Sequence, residues 1–258
     1  VDVTVGRLTV RARSSSLVAA VLVATLSLIV GSSAPPTGAS SAATVASVPV
    51  VQCPTRQGGD LGPPVHLAAT LPEHVAATLV GKVELYADRY DIVRVLGPMG
   101  WSCVASVAVD GGEDLLLYPP GTASPGYFHI PTGRSNATGL TVQVEPACLS
   151  CRLTLVCPFF ASARHEIESV YASASMMALC VRPAGEVITR SSPSTRFFTD
   201  GPHVLGHAYP SGGPDSALGV AYFNTKTFSY LVTCTLATNQ RSLCRGALNW
   251  FVGFHRPI

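Results

Sequence analysis

The 258-residue chain is poor in charge: Asp, Glu, Lys and Arg make up only 12% of it, and lysine occurs just twice, at Lys82 and Lys226. Beyond its first residues it has no Lys/Arg cluster, so it lacks a phosphate footprint, which argues against a nucleic-acid partner. Long apolar runs are missing too. The one extended uncharged stretch, Leu17 to Val30, is 14 residues long, where a helix needs roughly 20 to cross a bilayer. Signature loops are equally absent: there is no Walker loop, no GxGxxG followed by an acidic residue and no GxSxG, and the HEIE run at His165 to Glu168 lacks the second histidine of HExxH. No cofactor and no metal are expected.

What is present begins with an export signal. Arg7, Arg11 and Arg13 face only Asp2, the apolar run follows, and GSSAPPTGASSAATVAS then supplies the small residues that signal peptidases accept. Cleavage is expected after Ala39, Ala43 or Ala46; the alternative, an uncleaved signal anchor, is the one route to a membrane. Gln52 stands where a lipoprotein signal has a small residue, which argues against lipidation of Cys53. The expected division is residues 1–46 as signal peptide and small-residue tail and residues 47–258 as a single exported globular domain, secreted or associated with the cell envelope. Removing 46 residues takes three of the 17 basic side chains and one of the 15 acids, leaving a domain of net charge near zero. Fifteen arginines against two lysines, with abundant Ala, Val, Gly and Pro, point to a GC-rich bacterial genome, so Asn136-Ala137-Thr138 reads as a loop and not a glycan acceptor.

Residues 31 to about 50 read as signal tail and flexible linker, with ordered structure beginning near Cys53. Pro72, Glu73 and Gly81 predict a short helix over Leu71 to Leu79. Strand-like runs follow at 83–86, 92–96, 102–109, 114–118 and 140–144, with Asp110-Gly111-Gly112 as a hairpin turn. Between Cys157 and Cys180, Phe159, Ala163, Ile167 and Val170 recur at helical spacing. Strands are expected again at 186–189, 195–199, 219–224, 230–236 and 248–254. The predicted class is α+β, mainly β: a single disulfide-stapled, strand-rich domain with one or two helices.

Eight cysteines, Cys53, Cys103, Cys148, Cys151, Cys157, Cys180, Cys234 and Cys244, all lie downstream of the signal, where thiols oxidise. Cys234 and Cys244 bracket a short loop and are expected to pair. The 148–180 group admits three chemistries. Redox catalysis needs CxxC at the start of a helix, whereas the Arg-Leu-Thr-Leu-Val run after Cys151 looks like a strand. Zinc would need a partner CxxC that is not there. Structural disulfides remain, for example one tying Cys157 or Cys151 to Cys180, although eight cysteines allow 105 full pairings. Trp101 beside Cys103 reads as an aromatic packed over a disulfide.

Tyr86-Ala87-Asp88, then Gly100-Trp101-Ser102-Cys103, a CxxCxxxxxCPFF block from Cys148 to Phe160, and a final pair of cysteines followed by Trp250-Phe251 occur in that order. In this the chain resembles a group of exported, uncharacterised actinobacterial proteins over roughly residues 50–254. The resemblance implies a shared scaffold and a secreted or envelope location, and no catalytic residues.

Candidate catalytic groups are sparse. Ser211-Gly212-Gly213-Pro214 resembles a serine-peptidase nucleophile segment, and His129, Asp200 and Ser211 meet the chain order of a triad, yet Tyr209-Pro210 stands where Gly-Asp is needed. His203 and His207 are four apart, but Pro202 and Gly206 oppose a helix there. Asp110, Glu113 and Asp114 around two glycines read as a solvated turn sooner than a calcium loop. Two functions are thus in view: a non-enzymatic binding or structural module with an envelope or extracellular ligand, or a secreted hydrolase using Ser211 with His203 or His207 in residues 200–216.

Overall fold

Alternating apolar side chains between Gly, Pro and Asp punctuation build twelve strands in the computed structural model, which describes residues 43–59, 61–122, 138–171, 174–204, 206 and 212–255. These fall in one compact unit, 41–258. In chain order they are β1 (Ala43–Gln52), β2 (Thr55–Gln57), β3 (Thr70–Ala76), β4 (Val83–Ala87), β5 (Arg94–Pro98), β6 (Ser102–Val107), β7 (Glu113–Tyr118) and β8 (Gly139–Glu145). Three helices follow, α1 (Leu149–Val156), α2 (Ala161–Val170) and α3 (Ala174–Leu179), then β9 (Glu186–Ser191), β10 (Thr195–Asp200), β11 (Ala217–Phe223), β12 (Ser229–Thr235) and α4 (Arg241–Phe254). The α+β, mainly β class holds, but with four α-helices among the described residues where one or two were expected. The strands form a four-stranded sheet, β3-β1-β4-β5, and an eight-stranded sheet, β2-β6-β7-β8-β12-β11-β10-β9.

Strands β11 and β12 are buried at every position, because the large sheet is covered on both faces. On one face Val220, Tyr222, Tyr230 and Val232 join the small sheet and α4 in the main core. On the other, Phe198, Ala221, Phe223 and Leu231 meet α1 and α2 in a second core. Close packing there requires glycine: a Cβ on Gly219 would fall 2.0 Å from the Phe198 ring, and one on Gly97 would fall 2.1 Å from Leu117. Trp250 of α4 donates its indole N–H to Glu73 of β3 at 3.3 Å, tying the helix to the small sheet.

All eight cysteines pair, as Cys53–Cys103, Cys148–Cys151, Cys157–Cys180 and Cys234–Cys244. Four bridges fit an oxidising compartment. Among the described residues, no helix is long and apolar enough to cross a membrane. On the loop-entropy account, the bridge between residues 50 apart constrains the unfolded chain by about 4 kcal/mol, and the one between residues 23 apart by about 3. The same expression gives less than about 2 kcal/mol for cysteines three apart.

Four expectations are corrected. Residues 43–50 are no linker: β1 pairs antiparallel with β3 from Ala43 to Pro49 and parallel with β4 from Val50. Cleavage after Ala39 would leave this strand whole, whereas cleavage after Ala46 would remove the residues facing Glu73 to Ala76. Leu71 to Ala76 is strand, not helix, because Glu73 and Val75 turn inward with period two; Pro72 is accommodated on an edge strand, and only Ala77–Leu79 closes a helical turn. Residues 248–254 belong to α4, where Cys244, Ala247, Leu248 and Phe251 bury one helical face. The Cys234–Cys244 bridge therefore joins strand to helix and not two strands.

The fourth correction concerns Cys151 to Val156, which is helix α1 and not a strand. Leu153 and Leu155 alternate with period two, but the fully buried pair Leu153 and Val156 follows helical spacing from Leu149. Cys148 is its N-cap, and its sulfur accepts the backbone N–H of Cys151 at 3.2 Å.

The motif residues near the N-terminal half meet in space. The Tyr86 hydroxyl donates to the Pro98 carbonyl at 2.6 Å and accepts the Trp101 N–H at 3.0 Å. Asp88 accepts backbone N–H groups from Tyr90, Ile92 and Val93, closing the loop before β5. Trp101 packs against the core that holds Cys53 and Cys103. These are structural tasks.

Candidate functional site

The pairing of β11 with β12 sets Tyr222 opposite Tyr230, their rings stacked with centroids 5.0 Å apart. Phe228 extends the stack 5.2 Å from Tyr222. Beyond this aromatic floor, α4 brings Asn249, Val252 and the residue after its end, His255, alongside the β9–β10 turn with Ser191, Ser192, Ser194 and Thr195. Together with Arg190 and Phe197 they line a groove of about 580 Å³, within the size range of ligand sites. One wall is hydroxyl-rich, the floor is aromatic, and among the described residues no carboxylate lines it.

Arg190 is held, not free to swing: its guanidinium lies 3.7 Å from the Phe197 ring centroid and donates to Asn249 Oδ1 at 3.0 Å. His255 stacks on Phe251 at 3.9 Å, and its Nδ1 lies 3.1 Å from the Phe251 carbonyl. Burial pulls its pKa down to about 4, so the ring is neutral and Nδ1 carries the proton given to that carbonyl. The Nε2 lone pair is then an acceptor, buried and without a hydrogen-bond partner among the described residues. A buried acceptor left open beside a groove costs stability unless something donates to it.

Of the residues named for a hydrolase, the structure describes His203 and Asp200. His203 is exposed in a left-handed turn at φ 61°, its backbone N–H donating to the Gly213 carbonyl at 2.7 Å. His129, His207 and Ser211 lie outside the described residues. Asp200, the acid of the triad order, is fully buried beside Glu186. Desolvation, then repulsion from the neighbouring Glu186 carboxyl, pushes its pKa up, so the buried pair resists carrying two charges. Gly206 makes room for it, since a Cβ there would fall 1.8 Å from Asp200 Oδ2.

At the acidic turn Asp110 is exposed, as a solvated turn requires, but Glu113 is not. Glu113 is 3% exposed, and burial, followed by repulsion from Asp88, pushes its carboxyl up to about 10. Asp110 instead lies with the sulfurs of Cys148 and Cys151, all three ligand atoms within 4.8 Å of one another. The eight cysteines divide by exposure. Six are buried at 6% or less, while Cys148 and Cys151 are half-buried.

The groove was invisible in the sequence because its far wall is α4, read there as a strand. The one available signal was His255 four residues after Phe251, a helical spacing. Compared with known proteins, the chain matches no family model and no curated protein.

Proposed function

We propose that the protein is an exported, disulfide-stapled binding module that takes a neutral, hydroxyl-rich ligand, such as a segment of glycan at the cell envelope or outside it, in the groove between β9–β12 and α4. The observation that carries this reading is the buried Nε2 of His255, without a hydrogen-bond partner among the described residues, at an aromatic-floored groove. Saccharides present apolar ring faces and many hydroxyl donors, which suit a tyrosine floor, a serine wall and a neutral imidazole acceptor. Among the described lining residues Arg190 is the one guanidinium, and held in place it is a weak counterpart for an anionic ligand.

An array of neutral oligosaccharides with anionic counterparts, followed by calorimetry on the hits, tests it. Neutral saccharides should be retained, and His255→Phe should weaken binding about tenfold, the worth of one buried hydrogen bond. Retention of anionic glycans alone, or affinity unchanged in both His255→Phe and Tyr222→Ala, would refute the reading.

A further inference from the structure

On the other face of the large sheet from the groove, strand β8 ends at Glu145, Pro146 and Ala147 follow, and Cys148 caps α1. This order places a CxxC pair at the junction of a strand and a helix, where partial positive charge at the helix start favours a thiolate. From this we infer that Cys148–Cys151 is a redox-active disulfide that oxidises dithiols in other exported polypeptides.

Three independent features support it. First, this pair alone is half-exposed, whereas the other three bridges lie in the cores. Second, it closes the shortest loop of the four, three residues, so it has the weakest structural reason to exist. Third, Cys151 borders a pocket of about 280 Å³ lined also by Leu155, Leu179, Leu231 and Glu145, apolar enough to seat a side chain beside the sulfur. Glu145 is raised to about 7 by burial, then by Asp110 and Asp114, so it exchanges protons near neutrality.

The exchange balances within the two dithiols. A substrate thiolate attacks Cys151 Sγ from the pocket, forming a mixed disulfide and breaking the Cys148–Cys151 bond. Cys148 leaves as the thiolate, stabilised by the Cys151 N–H and by Ser150 Oγ at 3.3 Å. The second substrate thiolate then attacks the substrate sulfur of the mixed disulfide and expels Cys151. Two electrons and two protons pass from substrate to protein: the substrate gains a disulfide, and Cys148 and Cys151 become thiols. Asp110, close to both sulfurs, opposes build-up of negative charge on Cys148, so the reduced pair is disfavoured relative to one without it.

The test uses the full oxidised chain and a synthetic peptide carrying two cysteines, with alkylation and peptide mapping of the protein thiols over time. One equivalent of peptide should be oxidised per chain while thiols appear at 148 and 151 at least about tenfold faster than at any other cysteine. The Cys148→Ala/Cys151→Ala double variant should keep three bridges and lose peptide oxidation. Because that variant alters a helix cap, Asp110→Asn serves as the second: it should move the glutathione ratio that half-reduces the pair toward the reducing-agent-poor side. Reduction of all four bridges together, or no peptide oxidation by the folded wild type, would overturn the inference. So would stoichiometric zinc retention by the reduced protein with no oxidising turnover, which would make the same cluster a metal site.

Discussion

Glu113→Gln separates a buried neutral carboxyl from a buried charge. In the wild type both Glu113 oxygens are shut off from solvent, Asp88 is the carboxyl that faces them, and Asp88 already accepts three backbone N–H groups. A charged Glu113 would repel Asp88 across a desolvated gap, whereas the protonated acid can donate to it. The carboxyl titrates from 4.5 in the unfolded chain to about 10 in the fold. Its stabilisation is therefore complete below pH 4.5 and is lost as pH rises toward 10, at about 1.4 kcal/mol per pH unit. By pH 7 that amounts to an upper value of about 3 kcal/mol relative to a side chain that never ionises. Glutamine is such a side chain, and its amide can donate to Asp88 as the acid does. Urea unfolding at pH 5, 6, 7 and 8 should show the variant pulling ahead of the wild type with each step, with unchanged m-values. Parallel curves across that range, or a variant less stable at pH 8 than the wild type, would refute the assignment of a buried neutral acid.

Other expectations rest on packing, bridges and the groove. Gly219→Ala should cost about 1 to 3 kcal/mol in urea unfolding, because its Cβ overlaps the Phe198 ring and neither strand can yield in a sheet covered on both faces. Replacing Cys157 and Cys180 together by serine should cost about 3 kcal/mol, while the Cys148/Cys151 pair replaced by alanine should cost less than about 2, measured by the same midpoints. His255 has the opposite linkage to Glu113: its folded pKa is depressed, so the stability it contributes is present above pH 6.5 and lost as pH falls through about 4. Groove affinity belongs to the folded state, so it should hold down to about pH 5 and fall as pH drops through about 4; a calorimetric profile flat from pH 5 to 3 would contradict it.

Much of the strand framework was legible because period-two alternation and Gly or Asp turns are local. The Asp110-Gly111-Gly112 hairpin and most of the strands from Val83 to Tyr118 follow from such signals. Short apolar runs were not resolvable. Leu153 with Leu155 mimics a strand, and the pattern around Leu248 does the same, until it is known which side chains have a core to enter. Pro72 suits both a first helical turn and an edge strand, and only the presence of β1 beside it decides.

By itself, the sequence determined the compartment chemistry of eight cysteines, the low charge, the α+β, mainly β class and the Cys234–Cys244 pairing, since these depend on composition and short spacings. The tertiary structure alone decided that Cys148 caps a helix, that Glu113 and Asp200 are buried acids, and that Tyr222, Arg190 and His255 share a groove. Those outcomes depend on burial and on contacts between residues far apart in the chain, and a side chain's hydration, protonation and reach are set by neighbours that no local pattern names.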